Sequence, residues 1–179
     1  MKPEIKIRNV ALRDADRVAA IYDFHARNGT ASFETEGLTT AETRAKIHRI
    51  VDKGWPFLVA EMDGAVVGYA YATQFRDRPA YAFACENSIY VDVEQRGRGV
   101  GKALLEVLCA QAETFGFRQM LAVIGGGEEA SVRVHASCAF EHAGRMKAVG
   151  WKKGRWLDTV YMQKALGFGS SEPAPQGTS

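Results

Sequence analysis

Gln95-Arg96-Gly97-Arg98-Gly99-Val100-Gly101-Lys102 is the stretch on which the reading of this chain turns. It follows an apolar segment, Ser88-Ile89-Tyr90-Val91, and leads into an amphipathic one, Ala103 to Phe115. Glycines at alternate positions remove side chains where backbone N–H groups could converge on an anion. Arg96, Arg98 and Lys102 add positive charge, and the dipole of the predicted helix points its positive end at the same place. A phosphate or pyrophosphate fits such a site.

Spacing narrows the choice. A Walker loop needs four residues between its first Gly and Gly-Lys, then Ser or Thr for magnesium. Gly97 and Gly101 are separated by three residues, and Ala103 follows Lys102. A dinucleotide fingerprint needs Gly-x-Gly-x-x-Gly early in a βαβ unit, with an acidic residue about 20 positions on. This chain has Gly-x-Gly-x-Gly in mid-sequence. Both loops fail.

Working outward, Ile5 to Val10 reads as a strand, and Asp14 can cap a helix with the buried stripe Val18, Ile21, Tyr22 and His25. Thr39-Thr40-Ala41-Glu42 matches a capping box, which predicts a second helix toward Asp52, stopped at Gly54. Phe57–Glu61 and Ala65–Ala72 form a hairpin around Met62-Asp63-Gly64, and Phe83–Val91 is a third strand. After the glycine run, Leu104, Leu105, Val107, Leu108, Ala112 and Phe115 recur at helical spacing up to Gly116. Met120–Ile124 is a continuous apolar strand, consistent with burial on both faces. Gly125-Gly126-Gly127 opens a loop, Ala130–Ser137 is a short helix, and final strands lie near Ala139–Gly144 and Leu157–Gln163. This order predicts an α+β (mixed α/β) fold with one central mixed, mostly antiparallel sheet flanked by helices. One domain, 1–166, is followed by a tail, 167–179, whose Gly, Ser, Pro and Gln predict disorder.

Composition agrees with a single domain. The chain has 179 residues, 46% hydrophobic, enough for a sizeable core. A formal net charge of +2 with dispersed Lys and Arg argues against a nucleic-acid binder. Cys85, Cys109 and Cys138 are widely spaced, with no metal-ligand spacing, and read as reduced, buried small side chains. No apolar run reaches the ~18 residues of a membrane span, and the first residues carry no long apolar stretch. The expectation is a soluble cytoplasmic protein without metal, nucleic-acid or membrane partners.

The run Gln95 to Lys102 resembles the acyl-CoA loop of the GNAT N-acetyltransferase superfamily, whose motif is Gln/Arg-x-x-Gly-x-Gly/Ala. The element order fits the same fold. Thr30-Ala31-Ser32-Phe33-Glu34, Gly68-Tyr69-Ala70, Glu86-Asn87-Ser88-Ile89-Tyr90-Val91, Ser131-Val132-Arg133-Val134-His135 and Gly154-Arg155-Trp156-Leu157-Asp158 narrow the resemblance to the phosphinothricin/methionine sulfone N-acetyltransferase family. The resemblance implies acetyl transfer from acetyl-CoA to the α-amino group of a small amino acid analogue, by direct attack through a tetrahedral intermediate. It also implies a homodimer. Transfer to another amine, such as a peptide N-terminus or a polyamine, and a non-catalytic CoA-binding module remain open.

The chemistry sets requirements of its own. An amine attacks a thioester only as the free base, so a group must take its proton. Glu86 is the candidate, on the strand that feeds the glycine loop; Glu86, Ser88 and Tyr90 share one face of that strand, and Asn87, Ile89 and Val91 the other. The resemblance places its proposed base at Glu86 too. An oxyanion needs a donor, and the fold is expected to supply N–H groups from a bulge near Ile89, Tyr90 and Val91. A departing thiolate needs a proton; the family's histidine matches His135, and imidazole can donate near neutral pH.

The resemblance further implies cofactor contacts at Gln95, Arg96, Gly97, Arg98, Gly99, Val100, Gly101, Lys102, Glu128 and Ser131. Glu128 stands where the family carries Asn on the pantetheine arm, and a carboxylate cannot donate as an amide does. Substrate contacts are implied at Phe33, Arg76, Arg78, Glu86, Asn87 and Ser88. Arg76 and Arg78 suit an anionic acceptor, whereas a polyamine site would be rich in carboxylates. Lys152-Lys153-Gly154-Arg155 reads as a basic surface turn or a segment near a dimer partner, and Trp151 and Trp156 as packing residues.

Overall fold

A computed structural model describes residues 4–174. The strands are β1 (Lys6–Asn9), β2 (Phe57–Met62), β3 (Ala65–Gln74), β4 (Ala84–Val91), β5 (Gln119–Gly125), β6 (Glu141–Lys152) and β7 (Arg155–Ala165). They form one seven-stranded sheet in the order β1-β2-β3-β4-β5-β7-β6. Only β4 and β5 pair in parallel among the described residues; the other neighbours are antiparallel. Helices α1 (Ala15–Asn28), α2 (Thr40–Val51), α3 (Val100–Phe115) and α4 (Glu129–Ser137) flank it. The mixed, mostly antiparallel sheet expected from the sequence is the one observed.

Local chemistry explains most elements. Asp63 and Gly64 join β2 to β3 at φ 51° and 80°, the left-handed pair that a tight hairpin requires. Thr39 Oγ1 accepts the Glu42 N–H at 3.2 Å, and the Glu42 carboxylate takes the Thr39 N–H at 2.8 Å, closing the capping box of α2. Asp14 does not cap α1 with its side chain. It accepts from Arg8 Nη1 at 2.7 Å and from the Ala11 N–H at 2.7 Å, which binds β1 to the 3₁₀ turn ahead of α1. A charge-assisted pair with a guanidinium outweighs a single capping bond.

The two faces of the sheet carry separate cores. α3 lays Leu104, Leu105 and Leu108 on Leu58, Ala70, Ala72 and Met120. α1 and α2 pack Val18, Ile21, Ile47 and Ile50 on Val59, Tyr69 and Tyr71 of the opposite face. Each fully buried aliphatic side chain contributes about 1.5–3 kcal/mol. Gly68 lets α3 approach closely: a Cβ there would stand 3.1 Å from Tyr90 O and 3.2 Å from Val100 Cγ1. The start of α3 is thereby fixed against the end of β4.

Two strand expectations are corrected. β5 is not buried on both faces: Met120, Ala122 and Ile124 are buried while Leu121 and Val123 are half-buried, because the second face opens onto a cavity. The last two strands are also much longer than expected and form a hairpin turning at Lys153 and Gly154, φ 52° and 70°. β6 is an edge strand exposed along most of its length, so no alternating apolar pattern marks it. Its register shifts between Met146 and Gly150, where Asp158 takes the Ala148 N–H at 2.9 Å and Arg145 Nε at 2.7 Å. Trp151 and Trp156 are not packed inside; they are 61% and 63% exposed and meet edge to face at 5.2 Å.

Residues 167–170 follow as turns and 171–172 as a bend, with the Gly169 N–H on Leu166 O and the Ser171 N–H on Phe168 O. The rest of the stretch expected to be disordered, 175–179, lies outside the described residues. Cys85, Cys109 and Cys138 are free and buried, as expected. Among the described residues no helix is long and apolar enough to cross a membrane.

Candidate active site

The parallel pairing of β4 with β5 stops early. It runs from Ala84↔Gln119 to Asn87↔Ala122, yet β4 continues to Val91 and β5 to Gly125. Beyond Asn87 the two strands part. The expected bulge near Ile89 to Val91 is absent, since the β3–β4 register is unbroken from Gly68↔Val91 to Gln74↔Cys85. The splay lies on the β5 side instead. Asp92 N–H donates to Val67 O at 2.8 Å, which sets the alternation of the antiparallel ladder. Main-chain groups of Ser88 and Tyr90 therefore point to β3, and those of Ile89 and Val91 into the gap.

Two chambers meet at this gap. The first, about 290 Å³, is lined by Val91, Gln95, Arg96, Gly97, Gly99, Val100, Gly101, Lys102, Glu128 and Ser131, among others. The second, about 250 Å³, is lined by Phe33, Glu86, Asn87, Ser88, Ala122–Gly125, His135 and Thr159, among others. Ala31, Ile89, Tyr90 and Ser131 border both. Among the described residues no cluster of His, Cys, Asp and Glu could hold a metal ion.

In the first chamber, Gly97 and Gly99 have φ 74° and 88°, and a Cβ on either would meet nothing within 4 Å. Conformation, not space, demands glycine there. The first intrahelical bond of α3 is from the Ala103 N–H to Gly99 O at 3.0 Å. The N–H groups of Val100, Gly101 and Lys102 are thus unpaired within the helix and face the chamber. With Arg96 and Lys102 in the lining, these donors fit a pyrophosphate. Arg98 turns aside, its Nη1 on Gln95 Oε1 at 2.6 Å.

His25, read in the sequence only as part of a buried helical stripe, supports this loop. Its Nε2 lies 2.8 Å from Val91 O and its Nδ1 3.4 Å from Arg96 Nη2. A carbonyl can only accept and a guanidinium only donate, so the ring is neutral with its proton on Nε2. Burial, the largest influence, pulls its pKa down and favours that form. Glu128 stands at the N-terminus of α4 and makes no side-chain cap.

In the second chamber, Glu86 is half-buried on the face that carries Ser88 and Tyr90. Burial raises its pKa, opposed by the Arg76 charge. Asn87 and His135, read separately in the sequence, meet here. Asn87 Nδ2 donates to Leu121 O at 3.0 Å, and Asn87 Oδ1 lies 3.0 Å from His135 Nε2. His135 Nδ1 is 2.8 Å from Ser131 O and 3.4 Å from Ser131 Oγ. Both ring nitrogens face protein atoms; the neutral form that burial favours donates to one of the two carbonyl oxygens, and the residue is 2% exposed. His135 links α4 through Asn87 to β5, across the mouth of the splay.

Phe33 borders the second chamber and lies over Gly150, where a Cβ would come within 2.4 Å of its ring. Arg76 and Arg78 do not line it. Arg76 stacks on Phe75 at 4.1 Å and donates to Phe75 O, while Arg78 O accepts from Gln74 Nε2. Sequence reasoning gave no site role to Ala31 and Ser32, although the segment Thr30–Glu34 carried the resemblance, and it missed Thr159 and the strand β5 wall, for which no local motif gave a signal.

The GNAT acetyltransferase domain model matches residues 7–161. The chain belongs to the GNAT acetyltransferase family. This acetyltransferase is 46% identical over 166 residues to a phosphinothricin N-acetyltransferase of Alcaligenes faecalis, covering 92% of this chain and 84% of that one. It is 36% identical over 168 residues to an L-methionine sulfoximine/L-methionine sulfone acetyltransferase of Pseudomonas paraeruginosa, covering 93% and 98%. The crystal structure of a GNAT superfamily phosphinothricin acetyltransferase from Sinorhizobium meliloti in complex with acetyl-CoA superposes with a TM-score of 0.95 at 42% identity, covering 99% and 96%.

Proposed function

We propose that this acetyltransferase moves the acetyl group of acetyl-CoA to the α-amino group of a small amino acid analogue of the phosphinothricin, methionine sulfoximine or methionine sulfone type. One observation carries the reading: an anion-binding loop and a half-buried carboxylate open on opposite sides of one gap between β4 and β5. Relatives bearing those substrate names support the acceptor class.

Acetyl-CoA supplies an activated acetyl group. The Gln95–Lys102 loop holds its pyrophosphate through the Val100, Gly101 and Lys102 N–H groups and through Arg96 and Lys102. The Ile89 and Val91 N–H groups face the gap and are placed to bind the thioester carbonyl and the charge that develops on it. Glu86 takes the proton of the acceptor amine, directly or through one water. Its raised pKa brings it closer to the working pH while leaving it a carboxylate above that value. His135, its nitrogens spent on Ser131 and Asn87, orients these two residues at the gap in place of the direct acid role expected from the sequence.

The test follows CoA thiol release across phosphinothricin, methionine sulfoximine, methionine sulfone, ordinary L-amino acids, a polyamine and a peptide N-terminus. Turnover is expected with the first three. Preference for the polyamine or peptide, or no turnover at all, overturns the reading. Glu86→Gln lowers kcat about 10²–10⁴-fold with the best acceptor. In the wild type, kcat rises with pH through the Glu86 pKa, and this acid limb is lost in the variant. Because the folded-state pKa is raised, the charged carboxylate costs stability above it, so Glu86→Gln melts no lower than wild type at neutral pH. Unchanged thiol release removes Glu86 from the mechanism.

The same reading takes the molecule as a homodimer. Met146, Val149 and the paired rings of Trp151 and Trp156 are exposed apolar groups of the β6–β7 hairpin, which supports a covering second copy. Sedimentation should show a dimer in the wild type and a monomer for Trp151→Glu. A wild-type monomer ends that proposal.

A further inference from the structure

Lysines are almost never fully buried unless paired, yet Lys152 is 6% exposed. Its Nζ donates to Ala26 O at 2.6 Å and to Ser32 O at 2.7 Å. Among the described residues it makes no ion pair. Withdrawing an ammonium from water is costly, and a methionine would fill a similar volume without that cost. The charged group is therefore explained by what its hydrogen bonds hold.

They hold two things together. Ala26 O is one of the carbonyls that α1 leaves open at its carboxyl end. Neighbouring Lys153 caps Asn28 O there at 2.6 Å, and cations suit the negative end of the helix dipole. Ser32 O belongs to the segment after α1 that borders the second chamber. The next residue, Phe33, rests on Gly150, two positions before Lys152 on the same strand. One ammonium thus ties the end of α1 and the chamber wall to the β6–β7 hairpin.

We propose that Lys152 is a positioning residue for the acceptor: through Ser32 O it fixes the 29–36 segment against β6 and sets the width of the acceptor chamber. The proposal rests on the acceptor reading given above. Lys152 touches no reacting atom, so its loss acts on acceptor binding more than on the chemical step.

The experiment uses the full chain with Lys152→Met and Lys152→Arg. For Lys152→Met, the KM of the best acceptor rises about tenfold while kcat and the KM of acetyl-CoA stay within about threefold. Amide hydrogen exchange in residues 29–36 accelerates, and exchange in the β2–β3 hairpin does not. Lys152→Arg keeps a charged donor and restores most of the acceptor KM and of the protection. An unchanged acceptor KM, a uniform rise in exchange across the fold, or an arginine variant no better than methionine overturns the proposal. Exchange is measured on the protein alone, so it decides Lys152 even if no amino acid analogue turns over.

Discussion

The Gln95–Gly101 loop and the Gly29–Gly37 segment line adjoining chambers of one site but are shaped in opposite ways. The first is shaped mainly by its own residues, with His25 of α1 as its support from outside. Gly97 and Gly99 supply left-handed backbone, Asp92 Oδ1 takes the Glu94 N–H at 3.0 Å, and the first turn of α3 leaves its donors open. The second has little local structure and is held by distant residues. A Cβ on Gly125 would stand 2.7 Å from Ala31 O and 2.8 Å from Thr30 O, so β5 receives that segment main chain against main chain. Gly150 receives Phe33, Lys152 grips Ser32 O, and Asp23 Oδ1 takes the Gly37 N–H at 3.1 Å. A locally made wall keeps its shape when the rest of the site changes, whereas a borrowed wall changes whenever any lender does. Changes in the borrowed wall are therefore expected to move acceptor recognition more than donor recognition.

Two substitutions try to break that contrast. Gly150→Val places side-chain carbon where the Phe33 ring now lies. The ring, at the end of a mobile side chain, gives way while the fold stands. Misplacement on the scale of 1 Å costs about 10²-fold in catalytic efficiency toward the acceptor. The KM of acetyl-CoA is expected to stay within about twofold, and a parallel loss on both substrates would show that the two walls are not independent.

A smaller effect comes from the other side. Gly99→Ala meets no neighbour and is opposed only by its φ of 88°. Left-handed backbone costs an alanine about 1–2 kcal/mol. Acetyl-CoA should bind about tenfold more weakly by calorimetry, with the acceptor KM unchanged at saturating donor. An acceptor KM that moves as far as the donor affinity would erase the distinction.

The same contrast governs what could be read in advance. The capping box at Thr39 and Glu42, the Asp63-Gly64 turn and the α3 stripe were legible because each is decided within a few residues. The β6–β7 hairpin was underestimated because most of β6 faces water and shows no alternating apolar pattern; its turn, at Lys153 and Gly154, lies inside the basic turn read at 152–155. Trp151 and Trp156 read as packing residues from their type; they pack on each other and are otherwise exposed. Arg76 and Arg78 read as acceptor contacts from the resemblance and from the charge of an anionic acceptor, and both lie outside the chamber lining. Asn87 and His135 were each singled out, but their mutual bond depends on how β4 and α4 are brought together.

By itself the sequence determined the order of elements, the phosphate-type loop and the strand carrying Glu86, because hydrophobic period, capping and left-handed glycines act over short range. Only the tertiary structure decided where β4 parts from β5, that Lys152 is buried on two carbonyls, and that His135 has no free nitrogen. Those outcomes depend on which distant surfaces exclude water together, and a one-dimensional pattern does not encode that directly.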